Sequence, residues 1–382
     1  MSQARDPAAA RGRLADPPRR RGGGAPIAAW AAGLVLVAAT ALPFIPTDDW
    51  WVRALEFPRP ALAVLLALTA LVAWAALDRR RAAVRVLLAA VLAAFAFQLH
   101  AMWPYTPLHP AQVPSVADCA PENGLSLVVA NLREGNNGAA RFLEEVRRAR
   151  PDLVFVVEVD SGWIEALSPL EEDYPNRVLH PQDDFWGLAL YARLALVEPE
   201  VRHLLTGYVP SLRTGLRLRS GAVVEFHGLH PKPPTPWHGT GLRDAELLLA
   251  AEAARAGARP AVVGGDLNAA AWSNITGLMR RIGGLVDPRV GRGFFLTFPT
   301  WLPVPLRFPI DHVLFGHEFR LRAIELLPDI GSDHLPLLAR LCHVPGDART
   351  PDAAPPTEAD LRRAREAIEN GREDAARGGD GR

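Results

Sequence analysis

The sequence has few cysteines and lacks a zinc-binding motif. Its 382 residues include only Cys119 and Cys342, which are too few for a disulfide scaffold and match no metal-ligand spacing. One disulfide is possible if this part of the chain is exported, and two free thiols are the alternative. The motif His-Glu-x-x-His is absent and there is no cysteine cluster, which argues against a zinc hydrolase.

The chain also lacks an excess of either charge, since 42 basic side chains balance 42 acidic ones. Proteins that bind nucleic acid usually have a basic surplus, because neutralising phosphates supplies much of their affinity. The composition therefore carries no strong nucleic-acid signature, although a local basic patch is compatible with a neutral total.

Apolar residues are concentrated in three runs near the N-terminus, at 27–45, 61–77 and 82–99. Each run approaches the ~20 residues that cross ~30 Å of hydrocarbon as a helix. They predict a three-helix transmembrane region over residues 26–100. Buried helices of a soluble protein are the alternative. A cleaved signal peptide fits the first run poorly, because two more runs follow at once.

Charges beside these runs predict their orientation. Residues 1–25 are rich in Arg, Pro, Gly and Ala, and we expect a disordered basic cytoplasmic tail. Arg79, Arg80 and Arg81 lie between the second and third runs. The positive-inside rule places both segments in the cytoplasm, so three crossings put everything after His100 on the extracytoplasmic side of the cell membrane.

The remaining chain divides into three parts. Residues 101–123 contain five prolines and predict a linker. In residues 124–344, strand-like runs alternate with helical patterns at 137–150, 243–256 and 274–282, which indicates an α/β domain. Residues 345–382 are charged and lack an apolar face, so we expect a mostly disordered tail with at most a short solvated helix.

Polar residues stand at six strand ends in the α/β domain. Four strands end in such residues, and two later strands begin with them. If the later two run antiparallel to the others, all six clusters meet at one end of the sheets. Any one could be a cap or turn residue, but six together indicate a catalytic cleft. In chain order they are Asn131, Glu158, His230, Asp266 with Asn268, Asp311, and Asp333 with His334.

These motifs resemble the endonuclease/exonuclease/phosphatase superfamily, and in detail a membrane-anchored, uncharacterised bacterial subgroup of it. The resemblance spans about residues 124–344. It implies an α/β four-layer sandwich, with two packed mixed β-sheets flanked by helices, here preceded by three transmembrane α-helices. The first and last strands would be neighbours, which would allow Cys119 and Cys342 to meet. The motifs are Gly265-Asp-Leu-Asn268, Ile310-Asp-His312 and Ser332-Asp-His334, after the earlier Asn131, Glu158 and His230.

The resemblance also implies a cofactor, Mg²⁺ or Mn²⁺, because hard oxygen ligands suit these ions. Glu158 and Asn131 would be metal ligands, and Asp333 would join them directly or through water. Many relatives have Gln where Val157 precedes Glu158, a departure that we expect to change the surroundings of the ligand rather than the ligand itself.

Roles for the other residues follow from the same resemblance, as hypotheses. Asp266 would be the general base, His334 would donate to the phosphoryl oxygen, and Asp311 would hold its ring. Asn268 would hold the water or the phosphate, and His230 would contact the phosphate or the leaving oxygen from the other side; both are catalytic as well as substrate-binding candidates. Arg243 is a further substrate-binding candidate, with a solvated helix residue as the alternative. Asp287 and Thr297 are weaker candidates, and His227, His238 and His312 are expected to have packing or turn roles.

The sequence thus predicts a membrane-anchored phosphoesterase acting on a phosphodiester or phosphomonoester. A lipid head group or a small phosphorylated substrate is favoured by the membrane region and the neutral charge. A membrane-bound nuclease on the same fold is one alternative, and it would need a basic groove. A catalytically inactive binding or sensor module is another, although all six motif positions are intact.

Overall fold

A computed structural model describes residues 24–236, 239–346 and 355–377. The expected cytoplasmic tail lies almost wholly outside the described residues, and so does His238. Residues 347–354 and 378–382 of the expected C-terminal tail are also outside the described residues.

The N-terminal region consists of helices α1 (Gly24–Ala41), the single turn α2 (Trp50–Arg53), α3 (Arg59–Ala76) and α4 (Ala82–Met102). Their apolar side chains face outward as well as inward, because there is no polar face. Helices α1, α3 and α4 are long and apolar enough to cross a membrane, with mean hydropathies of 2.0, 1.8 and 2.1 for the spans that contain them. The three apolar helices predicted from the sequence are therefore confirmed.

A buried chain of polar side chains joins these three helices. Arg59 Nη1 of α3 donates to Gln98 Oε1 of α4 at 3.0 Å, and Gln98 Nε2 donates to Thr40 Oγ1 of α1 at 3.0 Å. All three side chains are buried. A buried polar group without a partner is costly, so these hydrogen bonds fix how the helices are arranged around one another.

In its described residues, the following domain contains eleven strands and five helices. The strands are β1 (Gly124–Asn131), β2 (Leu153–Val157), β3 (Asn176–His180), β4 (Leu188–Ala192), β5 (Ala195–Arg202), β6 (Ser211–Arg217), β7 (Val223–Leu229), β8 (Ala261–Asp266), β9 (Asp311–Phe315), β10 (Phe319–Leu326) and β11 (Leu337–His343). The helices are α5 (Ala139–Ala149), α6 (Ser161–Leu167), α7 (Gly241–Ala256), α8 (Asn274–Gly283) and α9 (Glu358–Ala376).

The strands form two mixed sheets that pack face to face. One sheet has the order β10-β11-β1-β2-β4-β3, and the other has the order β5-β6-β7-β8-β9. Their apolar inner faces form one core, in which the Phe155 and Phe226 rings are 5.4 Å apart. Helices α5 and α6 cover the first sheet, α7 and α8 cover the second, and α9 packs on α7 and α8. The predicted four-layer sandwich is confirmed.

Strand direction brings the polar strand ends together. β1 and β2 are parallel, as are β7 and β8, whereas β11 runs antiparallel to β1 and β9 runs antiparallel to β8. The carboxyl ends of four strands therefore share one edge of the sandwich with the amino ends of two others. This is the arrangement that the sequence required for a single site.

The expected C-terminal tail contains the short helix that the sequence allowed, α9, but this helix is packed rather than solvated. Its Thr357–Asp360 capping box starts a helix that packs on α7 through Ile368 and the small residues Ala364 and Gly371. A Cβ on Gly371 would lie 2.4 Å from the Cβ of Ala245, so the two helices approach closely because this residue is glycine. The apolar face was missed because it is built mostly from small residues.

The expected proline-rich linker is also packed rather than loose. Val113 is buried in the core between the sheets, and Arg292 donates to its carbonyl at 2.5 Å. Gln112 Oε1 accepts a hydrogen bond from Arg280 at 2.5 Å. These contacts tie the connection between the apolar helices and the sandwich to the sandwich itself.

A disulfide joins Cys119 and Cys342, whose Cα atoms are 5.8 Å apart. Because β1 and β11 are neighbours, the start and the end of the sandwich lie side by side there. Of the two alternatives that the sequence left open, the structure has the disulfide.

We expect the pair Cys119→Ser and Cys342→Ser to lower the free energy of unfolding by about 2–5 kcal/mol, because the crosslink restricts the unfolded chain. Thermal unfolding of the purified full chain, with and without reductant, measures the effect. An unreduced wild-type chain that labels with a thiol reagent, or a double variant of unchanged stability, would contradict the assignment.

Candidate active site

The site begins where the two sheets bring their polar ends together. Asn131 ends β1, Glu158 follows β2, and Asp266 ends β8. Asn131 Nδ2 donates to Glu158 Oε1 at 2.7 Å and to Asp266 Oδ2 at 3.1 Å. One amide therefore holds two carboxylates that come from opposite sheets.

Unusual backbone conformations point these side chains into the site. Glu158 and Asn268 have φ values of 57° and 49°, in the left-handed region that costs non-glycine residues about 1–3 kcal/mol. Gly265 has φ 146°, and a Cβ there would lie 1.9 Å from the carbonyl oxygen of Leu229. The glycine of the Gly-Asp-Leu-Asn motif is thus needed for β8 to approach β7 just before Asp266.

His334 and Asp311 form the second part of the site. His334 Nδ1 lies 2.8 Å from Asp311 Oδ2, and His334 Nε2 lies 3.6 Å from Asp266 Oδ2. Burial by itself would lower the pKa of His334, but the charges of Asp311 and Asp266 outweigh burial and raise that pKa to about 10. The ring is therefore protonated at neutral pH, with a donor directed toward Asp266.

Burial has the opposite consequence for the carboxylates. It raises the pKa of Asp266 to about 7, with the charge of His334 opposing the rise and that of Asp311 adding to it. Burial also raises the pKa of Glu158, while its hydrogen bond from Asn131 lowers it. A carboxylate with a pKa near neutrality is suited to accept a proton from water.

His230 closes the site from the β7 side. Its Nε2 lies 3.8 Å from both Glu158 Oε1 and Asp266 Oδ2, and burial lowers its pKa to about 3. Its Nδ1 has no hydrogen-bond partner among the described residues. The ring packs beside Trp186, with centroids 5.3 Å apart. This histidine is thus neutral, unlike His334.

The donor set fits a divalent cation. One protonated imidazole, that of His334, lies among four carboxylates, those of Glu158, Asp266, Asp311 and Asp333. No Lys or Arg in the described ranges forms an ion pair with Glu158 or Asp266. Buried negative charge of this kind needs a positive partner. Hard oxygen donors suit a divalent cation such as Mg²⁺ or Mn²⁺.

Two sets of side chains could hold such a cation. Single ligand atoms of Asp266, Asp311 and His334 lie within 4.8 Å of one another. A cation bound by the His334 ring would have to displace a ring proton that the charges of Asp311 and Asp266 stabilise. We therefore interpret that trio as a proton-transfer group, and the side of the site around Glu158 remains the predicted metal position.

The predicted ligands beside Glu158 differ in their placement. Asn131 directs its amide nitrogen at the carboxylates, and its Oδ1 accepts from the backbone of Arg133 at 2.9 Å. Asp333 is only partly buried, and its charge contributes to raising the pKa of Glu158. Metal binding by Asn131 and Asp333 stays a prediction.

Arg243 is buried, so it is not the solvated helix residue of the alternative reading. Its guanidinium donates to the carbonyl of Asn268 at 2.9 Å and pairs with Asp244 at 2.7 Å. Asn268 Nδ2 donates to the carbonyl of Pro231 at 3.0 Å. Arg243 thus supports the loop that carries Asn268, and its predicted role in substrate binding stays untested.

The weaker candidates have structural surroundings. Asp287 is fully buried and pairs with Arg289 at 2.9 Å, and Arg289 also contacts His312 and the carbonyl of Asp311. Thr297 Oγ1 accepts from the backbone nitrogen of Asp311 at 3.4 Å. The expected packing role of His312 agrees with these contacts. Sequence reasoning missed Arg289, because nothing in the sequence shows that this residue and Asp287, two positions apart, form a buried pair. His227 is likewise fully buried, 3.1 Å from Glu225.

Three further residues, for which the sequence predicted no role, shape the site. Ser332 Oγ donates to the carbonyl of Asn131 at 2.8 Å and accepts from the backbone nitrogen of His334 at 3.1 Å. The Phe298 ring lies 4.6 Å from that of His334. Thr300 donates from its backbone nitrogen to the carbonyl of Asp333 at 2.8 Å. Only Ser332, inside a predicted motif, carried a local signal.

Comparison with known proteins finds one matching family model. The model of the endonuclease/exonuclease/phosphatase family matches residues 128–334. No curated protein matches the chain. The chain is similar to a humanised zebrafish TDP2 structure (16% identity, 57% of this chain, 99% of that chain, TM-score 0.49). It is also similar to the human Nocturnin catalytic domain (20%, 59%, 96%, 0.49) and a Bacteroides vulgatus family member (17%, 58%, 99%, 0.48).

We expect Asp287→Asn to destabilise the protein by about 3–5 kcal/mol, because it leaves Arg289 buried without a counterion. The charge of Arg289 outweighs burial and lowers the pKa of Asp287 to about 2. The pair therefore stabilises the fold above the unfolded carboxyl pKa of about 4, and this stabilisation is lost as pH falls toward 2. Denaturant unfolding at several pH values measures both effects. Asp329→Asn, at an exposed position, is the control, and equal stability of the two variants would contradict the prediction.

Proposed function

The chain belongs to the endonuclease/exonuclease/phosphatase family, and from that premise we propose that it is a membrane-anchored, divalent-metal-dependent phosphoesterase with an extracytoplasmic catalytic domain. The observation that carries the proposal is the meeting of Glu158, Asp266 and His334 at one edge of the two sheets. Its substrate would be a phosphodiester or a phosphomonoester.

Glu158 would hold the cation, with Asn131 and Asp333 beside it. When bound, Mg²⁺ or Mn²⁺ supplies positive charge that stabilises the phosphoryl oxygens. The half-buried Glu158 carboxylate would be the main ligand, and Asn131 Nδ2 donates to its Oε1 at 2.7 Å.

Asp266 would take the proton from the attacking water. Its raised pKa of about 7 leaves it partly ionised at neutral pH and basic enough to accept that proton. Asn131 and the backbone nitrogen of Asn268 both donate to its carboxylate, at 3.1 and 2.9 Å, and fix its direction. Asn268 would bind the water or the phosphate with its side chain.

His334 would donate from Nε2 to the phosphoryl oxygen as negative charge grows there. Asp311 holds the ring through Nδ1 and keeps it protonated. His230 is neutral and would contact the phosphate or the leaving oxygen from the opposite side of the site. The two histidines thus differ in charge because only His334 has a carboxylate within hydrogen-bonding distance.

Two observations support the extracytoplasmic placement. The sandwich contacts the amino end of α3 and the carboxyl end of α4, so the arginine-rich loop 78–81 lies at the other end of these helices. That loop is expected in the cytoplasm. The Cys119–Cys342 disulfide lies in the sandwich, and disulfides persist in oxidising compartments outside the cytoplasm.

We expect the purified full chain to hydrolyse bis-p-nitrophenyl phosphate or p-nitrophenyl phosphate with Mg²⁺ and to lose this activity in EDTA. Asp266→Ala should lower kcat by about 10²–10⁴-fold, the usual contribution of a general base. Glu158→Ala should raise the Mg²⁺ concentration needed for activity. Plasmid DNA and phospholipid vesicles are assayed in parallel to identify the preferred substrate.

Glu325→Gln removes an exposed carboxylate outside the site and is the matched control. A folded wild-type chain that hydrolyses none of these substrates, or an Asp266→Ala variant as active as Glu325→Gln, would contradict the proposed mechanism. Binding of Mg²⁺ without turnover would favour the inactive sensor alternative.

The membrane orientation is tested with a reporter alkaline phosphatase, which is active only outside the cytoplasm. Fusion after residue 118 should give an active reporter, and fusion after residue 80 should give an inactive one, because the arginine-rich loop is retained inside. The opposite pattern would place the catalytic domain in the cytoplasm.

A further inference from the structure

A loop beside the active site exposes several large apolar side chains. Residues 301–306 have the sequence Trp-Leu-Pro-Val-Pro-Leu, and we refer to them as the 301–306 loop. Trp301, Val304 and Leu306 are 71%, 60% and 39% exposed. Grouped exposed apolar residues mark a surface that contacts a partner or a membrane.

The base of the loop is attached to the catalytic residues. Thr300 donates to the carbonyl of Asp333 at 2.8 Å through its backbone, and to the carbonyl of Ser332 at 2.8 Å through its hydroxyl. Arg307 braces the loop by donating to the carbonyls of Leu302 and Thr300, at 2.7 and 2.6 Å. The loop therefore has a defined direction relative to the site.

The loop lies against the apolar helices. Its turn at Val304–Leu306 packs beside α3, and the Phe308 ring contacts that of Phe57, just before α3, at 5.7 Å. Because α3 is long and apolar enough to cross a membrane, whatever surrounds its first turns also surrounds the tip of the loop. The apolar side chains of the loop then continue the apolar surface of the helix.

The part of the sandwich around Trp272 packs alongside the last turns of α4 rather than beyond its end. Trp272 packs in one cluster with Ala63 of α3 and Met102 of α4, and Phe95 and Phe294 pack against it. Phe95 lies seven residues before Met102, which is about 10 Å along a helix at ~1.5 Å per residue. This face is therefore level with the outer turns of the spans rather than held away from them.

We propose that the 301–306 loop enters the head-group layer on the extracytoplasmic surface of the cell membrane, and that the active site takes a phosphoester carried on a membrane lipid. This inference rests on the proposed function and names its substrate class. Tryptophan and aliphatic side chains favour the membrane interface, and the helix ends carry more of them exposed, at Trp51 and Trp103. A lipid phosphate at that level would need no extraction from the bilayer to reach the site.

The position of the loop is tested without catalysis. Val304→Cys is spin-labelled in the full chain, in phosphatidylcholine nanodiscs, where the two native cysteines are held in their disulfide. We expect the label to be accessible to oxygen and shielded from a water-soluble nickel relaxer. Leu361→Cys is the matched control, because Leu361 is also exposed, at 40%. It lies near the amino end of α9, where Asp360 pairs with Arg281 of α8. A Val304 label as accessible to nickel as the Leu361 label would overturn the proposal.

The substrate class is tested by comparing a lipid with a soluble substrate. The full chain is incubated with vesicles of phosphatidylcholine, phosphatidylethanolamine, phosphatidylglycerol and phosphatidic acid, and separately with bis-p-nitrophenyl phosphate. The double variant Trp301→Glu with Val304→Glu should lower the ratio of lipid turnover to soluble turnover by about tenfold, because interfacial binding scales with buried apolar area. Leu361→Glu should leave that ratio unchanged.

The outcomes separate this inference from the proposed function. If the wild-type chain hydrolyses bis-p-nitrophenyl phosphate but none of the four lipids, the lipid assignment fails and the phosphoesterase stands. If lipid turnover is equal in the wild type and the double variant, the loop has no role in reaching the lipid. If neither substrate class is hydrolysed, the proposed function itself fails.

Discussion

Two hydrogen-bonded contacts across the gap between the sheets hold the site together. Asn131 of the first sheet donates to Asp266 of the second, and His334, which leads into the first sheet, contacts Asp311 of the second. Neither contact could exist if the sheets were further apart. Their separation is set by the core between them, where a Cβ on Gly228 would lie 2.6 Å from the Phe155 ring. The charges of the site thus depend on close packing of apolar residues beneath it.

The same contacts determine the protonation of the site. Asp311 is buried and bonded to His334, and so it retains a positive ring beside Asp266. Without that partner, burial would favour a neutral imidazole, as it does at His230. One structural difference, a carboxylate within 2.8 Å, therefore separates the two histidines into a charged donor and a neutral contact.

The sequence predicted what depends on local pattern. Apolar runs predicted the three apolar helices. Polar residues at six strand ends predicted the site, because so many in one domain are unlikely to be caps or turn residues alone. It could not predict contacts chosen by tertiary packing. Arg289 beneath Asp311 and the exposed Trp301 have no periodic signal, and the face of α9 is formed by Ala364 and Gly371 rather than large residues. The family motifs identified chemistry but carried no information on how the sandwich meets the helices.

The junction between the apolar helices and the sandwich is held by hydrogen bonds as well as by the connecting chain. The predicted proline-rich linker left open how the sandwich is held against the helices, and the structure has direct hydrogen bonds between them. Glu56, buried between the helices and the sandwich, accepts from both nitrogens of Asn274, at 3.1 and 2.8 Å, and its carbonyl accepts from Trp272. Tyr105 donates to the carbonyl of Ala271, which follows the loop that bears Asp266 and Asn268.

These hydrogen bonds fix the height and tilt of the active site relative to the apolar helices. A tethered enzyme for dissolved substrates gains nothing from a fixed height, because such substrates approach from every direction. A substrate confined to a surface gains from it, since the reacting phosphate always arrives at the same level. The burial of Glu56 and Tyr105 at the junction therefore argues that the apolar helices position the site as well as retain it.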